Sequence, residues 1–271
     1  MTAAAESRSV PSRLAGVVEA LELDQPRVVT VADLEGLSRS SGLSISGVAL
    51  GYELRRLGWL LPLRTRGVWE FAPAARAGRY SAGDRHIELR AARAVDPGFP
   101  GVLAMESASV LLGLAGHIPE REVLAVPPGY RVSKALRDWR VIGLRLPGDP
   151  VREAEGLPVW RVEALLAGMA VRPDGYGDWR NVAQWLPRAV GQANAAKVGS
   201  CLVGASRAGW RRAGYLFASG GRPDVGIELM ELAPPGRGPV YLGPRDRPGR
   251  FDARFEVIDS VLVAGQQALQ P

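Results

Sequence analysis

Few residue groups in this chain have the types and spacing that covalent chemistry requires. Gly199-Ser200 has the form that opens a nucleotidyl-transfer site. That chemistry needs a following carboxylate pair to hold Mg²⁺ against phosphates. None follows, because the next acid is Asp224. The run Gly204-Ala-Ser206-Arg-Ala-Gly209 is one residue too long for the Gly-x-Ser-x-Gly elbow of a hydrolase. Cys201 sits among apolar neighbours and reads as a core residue rather than a nucleophile. His86 and His117 are the only histidines, and neither has a partner at metal-ligand spacing. The glycine-rich stretches have neither the Walker lysine nor the dinucleotide spacing. The expectation is a protein with no catalytic residues, no cofactor and no metal.

Non-covalent chemistry is better provided for, and arginine carries it. The chain has 34 Lys+Arg against 28 Asp+Glu, a net charge of +6 and a pI near 10.0. Lys134 and Lys197 are the only lysines. An Arg-, Ala-, Gly- and Pro-rich composition is a usual trace of a GC-rich genome, so the position of the charge says more than its total. Residues 1–43 carry a net charge of −2, and residues 44–79 carry +4. Within that basic stretch, Ser44, Ser46, Gly47, Tyr52, Arg55 and Arg56 fall on one side of a predicted helix. Arg64, Thr65 and Arg66 fall at a predicted hairpin tip. Hydroxyl and guanidinium groups so placed suit double-stranded DNA. A helix presents its N-terminal residues to major-groove base edges, and a basic loop meets phosphates beside it.

The elements that must position these residues are legible. Leu14, Val17, Val18 and Leu21 have helical spacing. Thr30 is a good N-cap for a second helix from Val31 to Leu37, with Asp33 in its first turn. After a turn at Gly42, Ser44 reads as the N-cap of a third helix reaching Leu57, with Leu50, Leu54 and Leu57 as its core face. Trp59–Pro62 and Val68–Ala72 flank the Arg-Thr-Arg-Gly tip and read as a β-hairpin. Trp59, Trp69 and Phe71 read as packing residues of that hairpin. Three helices and a hairpin predict a winged helix-turn-helix over residues 1–80. A small-residue linker is expected over 74–82.

Residues 81–271 predict a mixed, mainly helical α/β domain, so the fold class is α+β. Ile87–Ala94 reads as strand or helix. Helices are expected over 106–114, 159–170, 179–189, 193–202, 207–219 and 225–232, and strands over 123–126, 141–146, 239–242 and 254–263. On the helix over 207–219, Arg207 and Arg211 are one turn apart with Arg212 beside them. Two readings of the trio stand side by side: a solvated helix face, or a basic patch for an acidic partner or RNA. One cysteine excludes an internal disulfide, and no apolar run reaches membrane-spanning length. The N-terminal residues lack a signal-peptide core, which makes the cytoplasm the expected address.

The run VTVADLEGLSRSSGLSISGVALGYELRRLGWLLPLRTRGVWEFAP resembles the winged helix of the AbiEi-type antitoxins of type IV toxin–antitoxin systems, in their actinobacterial form. VWRVEALLAGMAVRPDG, RRAGYLFASGG and PVYLGPRDRPGRFDARFEVIDSVL resemble the C-terminal part of the same family. Two departures are visible. Gly51 stands in the third helix where a larger side chain is expected, and Val159-Trp160 stands where the family has Thr-Pro. The resemblance implies a non-catalytic antitoxin. Its N-terminal domain would bind inverted repeats in its own promoter and repress its operon. Its C-terminal domain would neutralise a nucleotidyltransferase toxin, with or without a stable complex. The competing expectation is a stand-alone winged-helix regulator whose C-terminal domain senses a small ligand.

Overall fold

The computed structural model describes residues 10–75 and 83–262. Two compact units emerge, Met1–Phe99 with Val132–Arg137 and Pro100–Arg131 with Asp138–Pro271. The linker expected over 74–82 lies mostly outside the described residues.

In the first unit a short 3-10 turn leads into α1 (Ala15–Asp24), which buries Val17, Val18 and Leu21. Gln25, in a left-handed conformation at φ 45°, ends it. β1 (Val28–Thr30) follows, and Thr30 then caps α2 (Val31–Ser40). The Thr30 hydroxyl accepts from the Asp33 amide (3.1 Å), while the Asp33 carboxylate accepts from the Thr30 amide (2.8 Å). This reciprocal box satisfies two amides that a bare helix end leaves open. α3 (Gly47–Arg56), β2 (Leu60–Pro62) and β3 (Val68–Phe71) complete a winged helix-turn-helix, with an antiparallel sheet in the order β1-β3-β2.

α3 begins later than the sequence suggests. Its N-cap is Ser46, not Ser44, and the Ser46 hydroxyl accepts from the Ala49 amide at 3.3 Å. The buried Ser38 hydroxyl lies 2.7 Å from the Ile45 carbonyl and 3.2 Å from that of Leu43. That contact holds the connecting residues outside the helix, so the first free turn starts after Ile45.

Leu14, Leu34, Leu50, Leu54, Trp59, Leu60, Trp69 and Phe71 form the core under these elements. Two glycines let α3 approach it. A methyl group on Gly47 would lie 2.4 Å from the Val31 carbonyl oxygen and 2.8 Å from the Glu35 amide nitrogen. One on Gly51 would lie 2.6 Å from the Trp69 indole. α4 (Ile87–Val95) is a helix, which resolves the strand-or-helix reading of that segment, and it packs beside the 3-10 turn Lys134–Leu136.

The second unit is built on a five-stranded sheet in the order β6-β5-β4-β8-β7. Its members are β4 (Val102–Leu103), β5 (Val123–Val126), β6 (Arg140–Gly143), β7 (Val151–Ala154) and β8 (Leu157–Trp160). α5 (Met105–Leu111) crosses between β4 and β5. β4 runs antiparallel to β5 and parallel to β8, and β7 and β8 form an antiparallel hairpin. The helix expected to begin at Val159 therefore begins later. Glu155 and Gly156 both have positive φ (52° and 71°), the geometry of a two-residue hairpin turn. That turn carries Val159 and Trp160 back along β7 instead. α6 (Val162–Val171) follows and is buried on almost every side.

α7 (Trp179–Gln192), α8 (Ala195–Leu202), α9 (Arg207–Ser219) and α10 (Pro223–Glu231) complete the helical layer. A second sheet, in the order β10-β11-β9, closes the chain with β9 (Val240–Leu242), β10 (Arg250–Asp252) and β11 (Val257–Asp259). The single strand expected over 254–263 is instead a turn followed by β11, because Glu256 turns left-handed at φ 54°. The class is α+β, with a winged helix-turn-helix followed by a mixed, mainly helical unit.

The close approach of α3 and the pairing of Asp84 each have a measurable consequence. Gly47→Ala should lower stability by about 1–3 kcal/mol, the usual cost of forcing atoms into packed space. Gly36→Ala, also helical but with nothing within 4 Å of the added methyl, should raise it by up to about 1 kcal/mol. Urea unfolding of the two variants checks the contrast. At Asp84, burial opposes the ionised form. The His86 amide (2.9 Å), the Arg90 guanidinium (2.7 Å) and Arg27 (3.1 Å) outweigh that and hold the carboxyl below its ordinary 3.8. A lowered folded value means the stabilisation is full above about 3.8 and is lost as pH falls further. Asp84→Asn should flatten the acid limb of a thermal-melt pH profile below pH about 4 and lower the neutral plateau.

Candidate nucleic-acid interface

The outer face of α3 is open. Val48, Ala49, Tyr52, Arg55 and Arg56 are exposed, at spacings that put them on one side, and Tyr52 shows 61% of its surface. Both basic residues lie in the last turn, where the helix dipole favours them. Glu53, which would oppose an anion here, is half-buried and paired to Arg13. At the wing, Arg64 and Arg66 are exposed.

Three of the residues predicted for the α3 face or the wing tip sit where their side chains are buried or engaged. Gly47 is buried against the backbone of α2, so it presents nothing outward. Ser46 is exposed, but its hydroxyl is occupied as the N-cap. Thr65 is half-buried, with its hydroxyl donating to Glu88 Oε2 at 3.3 Å. Glu88 Oε1 also accepts from the Arg64 amide at 2.8 Å, so one carboxylate of α4 clamps the wing tip. Ser44 is exposed in the loop before α3. Sequence reasoning missed Val48 and Ala49, small apolar groups suited to a thymine methyl. A helix start at Ser46 would have exposed them to view.

The predicted basic patch on α9 does not exist as a free surface. Arg207 donates to the Gly238 carbonyl (2.8 Å) and pairs with Glu256. Arg211 pairs with the same carboxylate (3.3 Å) and donates to the Phe255 carbonyl (3.3 Å). The side chains of Arg207 and Arg211 are only 12% and 18% exposed. Arg212 donates to the Tyr241 carbonyl (2.6 Å) and to that of Ala170 (3.1 Å). Burial pulls Arg212 below the usual arginine value, and the neighbouring Arg245 adds to the effect. Neither the solvated-face nor the partner-patch reading fits these side chains. They are internal tethers, because the acceptors they meet come from the β9–β11 segments folded back over α9 and, for Arg212, also from α6.

The rejected catalytic candidates have plain environments. Cys201 is buried, and burial, then Glu163 and Asp149, push its thiol up to about 11. His86 is buried in the first unit. His117 is exposed and lines an open cleft of about 720 Å³ with Asn181, Gln184, Trp185 and Arg188. Among the described residues, no three His, Cys, Asp or Glu side chains converge as around a metal ion. No helix there is long and apolar enough to cross a membrane.

Comparison with known proteins places this geometry. Residues 101–219 match the family model of the AbiEi antitoxin C-terminal domain. The crystal structure of the RV2827C protein from Mycobacterium tuberculosis is similar over 98% of this chain and 97% of that one. It has 28% identity and a TM-score of 0.84. A search of curated proteins found no match. The resemblance to AbiEi-type antitoxins therefore holds in the second unit, and it supports an antitoxin role in a toxin–antitoxin system, which implies a toxin as a partner in general terms.

The tether reading of α9 has a direct check. Arg212→Met keeps the apolar stem and removes both carbonyl contacts, so it should cost about 1–3 kcal/mol. Arg180→Met, on the exposed side of α7, should stay within about 0.5 kcal/mol. Chemical denaturation of both variants checks the difference. Equal midpoints would return Arg212 to the surface.

Proposed function

With an AbiEi antitoxin domain in residues 101–219 as the premise, we propose that this protein is the antitoxin of a type IV toxin–antitoxin system. Its winged helix binds inverted repeats in its own promoter and represses its operon. Its second unit is needed to neutralise a nucleotidyltransferase toxin, with or without a stable complex. The protein works by binding and not by catalysis, in the cytoplasm.

The observation that carries the DNA reading is the open side of α3 beside a clamped basic wing. Val48, Ala49 and Tyr52 face outward near the start of the helix, where side chains reach base edges. Arg55, Arg56, Arg64 and Arg66 follow at positions that suit phosphates on either side of a groove. The wing is ordered by Glu88, so its guanidiniums start from a fixed base.

The second reading, a ligand-sensing regulator, draws on the cleft lined by His117, Asn181, Gln184, Trp185 and Arg188. Polar side chains beside an indole suit a small polar molecule. Co-expression separates the readings. Rescue of growth against the toxin encoded beside it supports the antitoxin. Promoter release by a metabolite extract, without rescue, supports the regulator.

The promoter itself provides the sharper test. Arg64→Ala with Arg66→Ala should weaken binding to all duplexes alike. It should lower the slope of log K against log salt by about 0.9 for each phosphate that is no longer neutralised. Tyr52→Ala should instead reduce the preference for the promoter over random DNA. Gel-shift titrations at several salt concentrations measure both, and a double wing variant with unchanged affinity and slope would remove the wing from the interface.

A further inference from the structure

With the α9 arginines turned inward, one cluster of exposed arginines in the second unit lies around the sheet that covers them. Arg245, Arg247, Arg250 and Arg254 are all exposed around β10. The acids among them are Asp246 and Asp252. Asp252 already accepts the Arg254 and Phe255 amides, each at 3.0 Å. Glu256 is taken up by Arg207 and Arg211.

The sheet has two unlike faces. Val240, Leu242, Val257 and Asp259 are buried on the inner face. Strand alternation puts the intervening residues on the other. Register aligns Tyr241 with Ile258, and Ile258 with Phe251. The outer face thus presents an aromatic, an aliphatic and an aromatic residue in a row across three strands. Neighbouring strands lie about 4.8 Å apart, so the backbones that carry the two aromatic residues are about 10 Å apart. Phe251 is 55% exposed, and the Arg245 guanidinium stands 5.3 Å from the centre of the Tyr241 ring. Among the described residues, β10 is also an edge strand of its sheet.

We propose that this outer face is a stacking platform for single-stranded RNA. An exposed ring on a sheet face accepts a base that is free of its own stack. The surrounding guanidiniums meet the phosphates. The edge of β10 offers amides and carbonyls to 2′-hydroxyls, which DNA lacks. The platform lies in the second unit, the one proposed to act against the toxin, and so the inference rests on a different unit from the DNA reading.

The test uses the full chain and a fluorescein-labelled oligoadenylate RNA of about twelve nucleotides, within the span of single-strand sites. Fluorescence anisotropy is read across a salt series. Phe251→Ala should weaken binding about 5- to 100-fold without changing the salt slope, because it removes a ring and no charge. Phe251→Trp should restore it. Arg247→Ala with Arg250→Ala should lower the slope by about 0.7 for each phosphate left without its guanidinium. The Arg64→Ala, Arg66→Ala wing variant should lose much less affinity for this RNA than the Arg247→Ala, Arg250→Ala variant does. Phe251 is exposed, so its variants should melt as wild type does, and Phe251→Trp keeps the test sound if Phe251→Ala does not. Equal affinity of Phe251→Ala and wild type overturns the proposal. So does a loss of affinity in the wing variant as large as in the Arg247→Ala, Arg250→Ala variant, equal binding of the matching DNA oligonucleotide, or displacement of the RNA by polyglutamate at equal charge.

Discussion

A guanidinium removed from water must meet acceptors, or the fold that buries it is penalised heavily. That constraint organises the second unit. α9 packs against α6, α10, β9 and β11, and it brings three arginines into that crowded ground. Arg212 links the Ala170 carbonyl of α6 to the Tyr241 carbonyl of β9. Arg207 and Arg211 share Glu256, in the turn before β11. The Tyr215 hydroxyl adds a buried bond to Asp259 at 2.8 Å. Strands of three residues are too short to hold a sheet by their own ladder. Here they are fastened, through side chains, to a helix that the apolar core already fixes.

The first unit solves a different problem by a different means. Its third helix, α3, lies close to the wing and to α2 while keeping one side clear. Gly47 and Gly51 remove side chains where α3 meets the Val31 carbonyl and the Trp69 indole. Close approach of backbones leaves the outer positions of α3 free of packing duties. The missing side chain at Gly51, which reads in the sequence as a gap in a recognition surface, is in fact on the buried side.

What is legible in the sequence follows from locality. The N-cap at Thr30, the spacing of Leu50 and Leu54, and the hairpin around Arg64–Arg66 are short-range patterns, and all appear in the structure. Periodicity misplaces the start of α3, because the contact from Ser38 to Ile45 spans a turn that no repeat of apolar residues reports. The hairpin of β7 and β8 escapes notice, since its positive-φ turn uses Glu155 where glycine or asparagine would have announced it. The fate of the α9 arginines is hidden for a stronger reason. Helical spacing correctly places them together, but their acceptors lie 29 and 49 residues onward, at Tyr241 and Glu256. Spacing within one helix cannot report what a distant strand will lay over it.

The clamp of Glu88 on the wing bears on kinetics as well as shape. A hairpin tip with no tie would sample many arrangements, and its ordering would fall within the act of association. Here one carboxylate holds the Arg64 amide and the Thr65 hydroxyl in the folded chain. Any partner that meets this tip meets a loop whose backbone is already arranged.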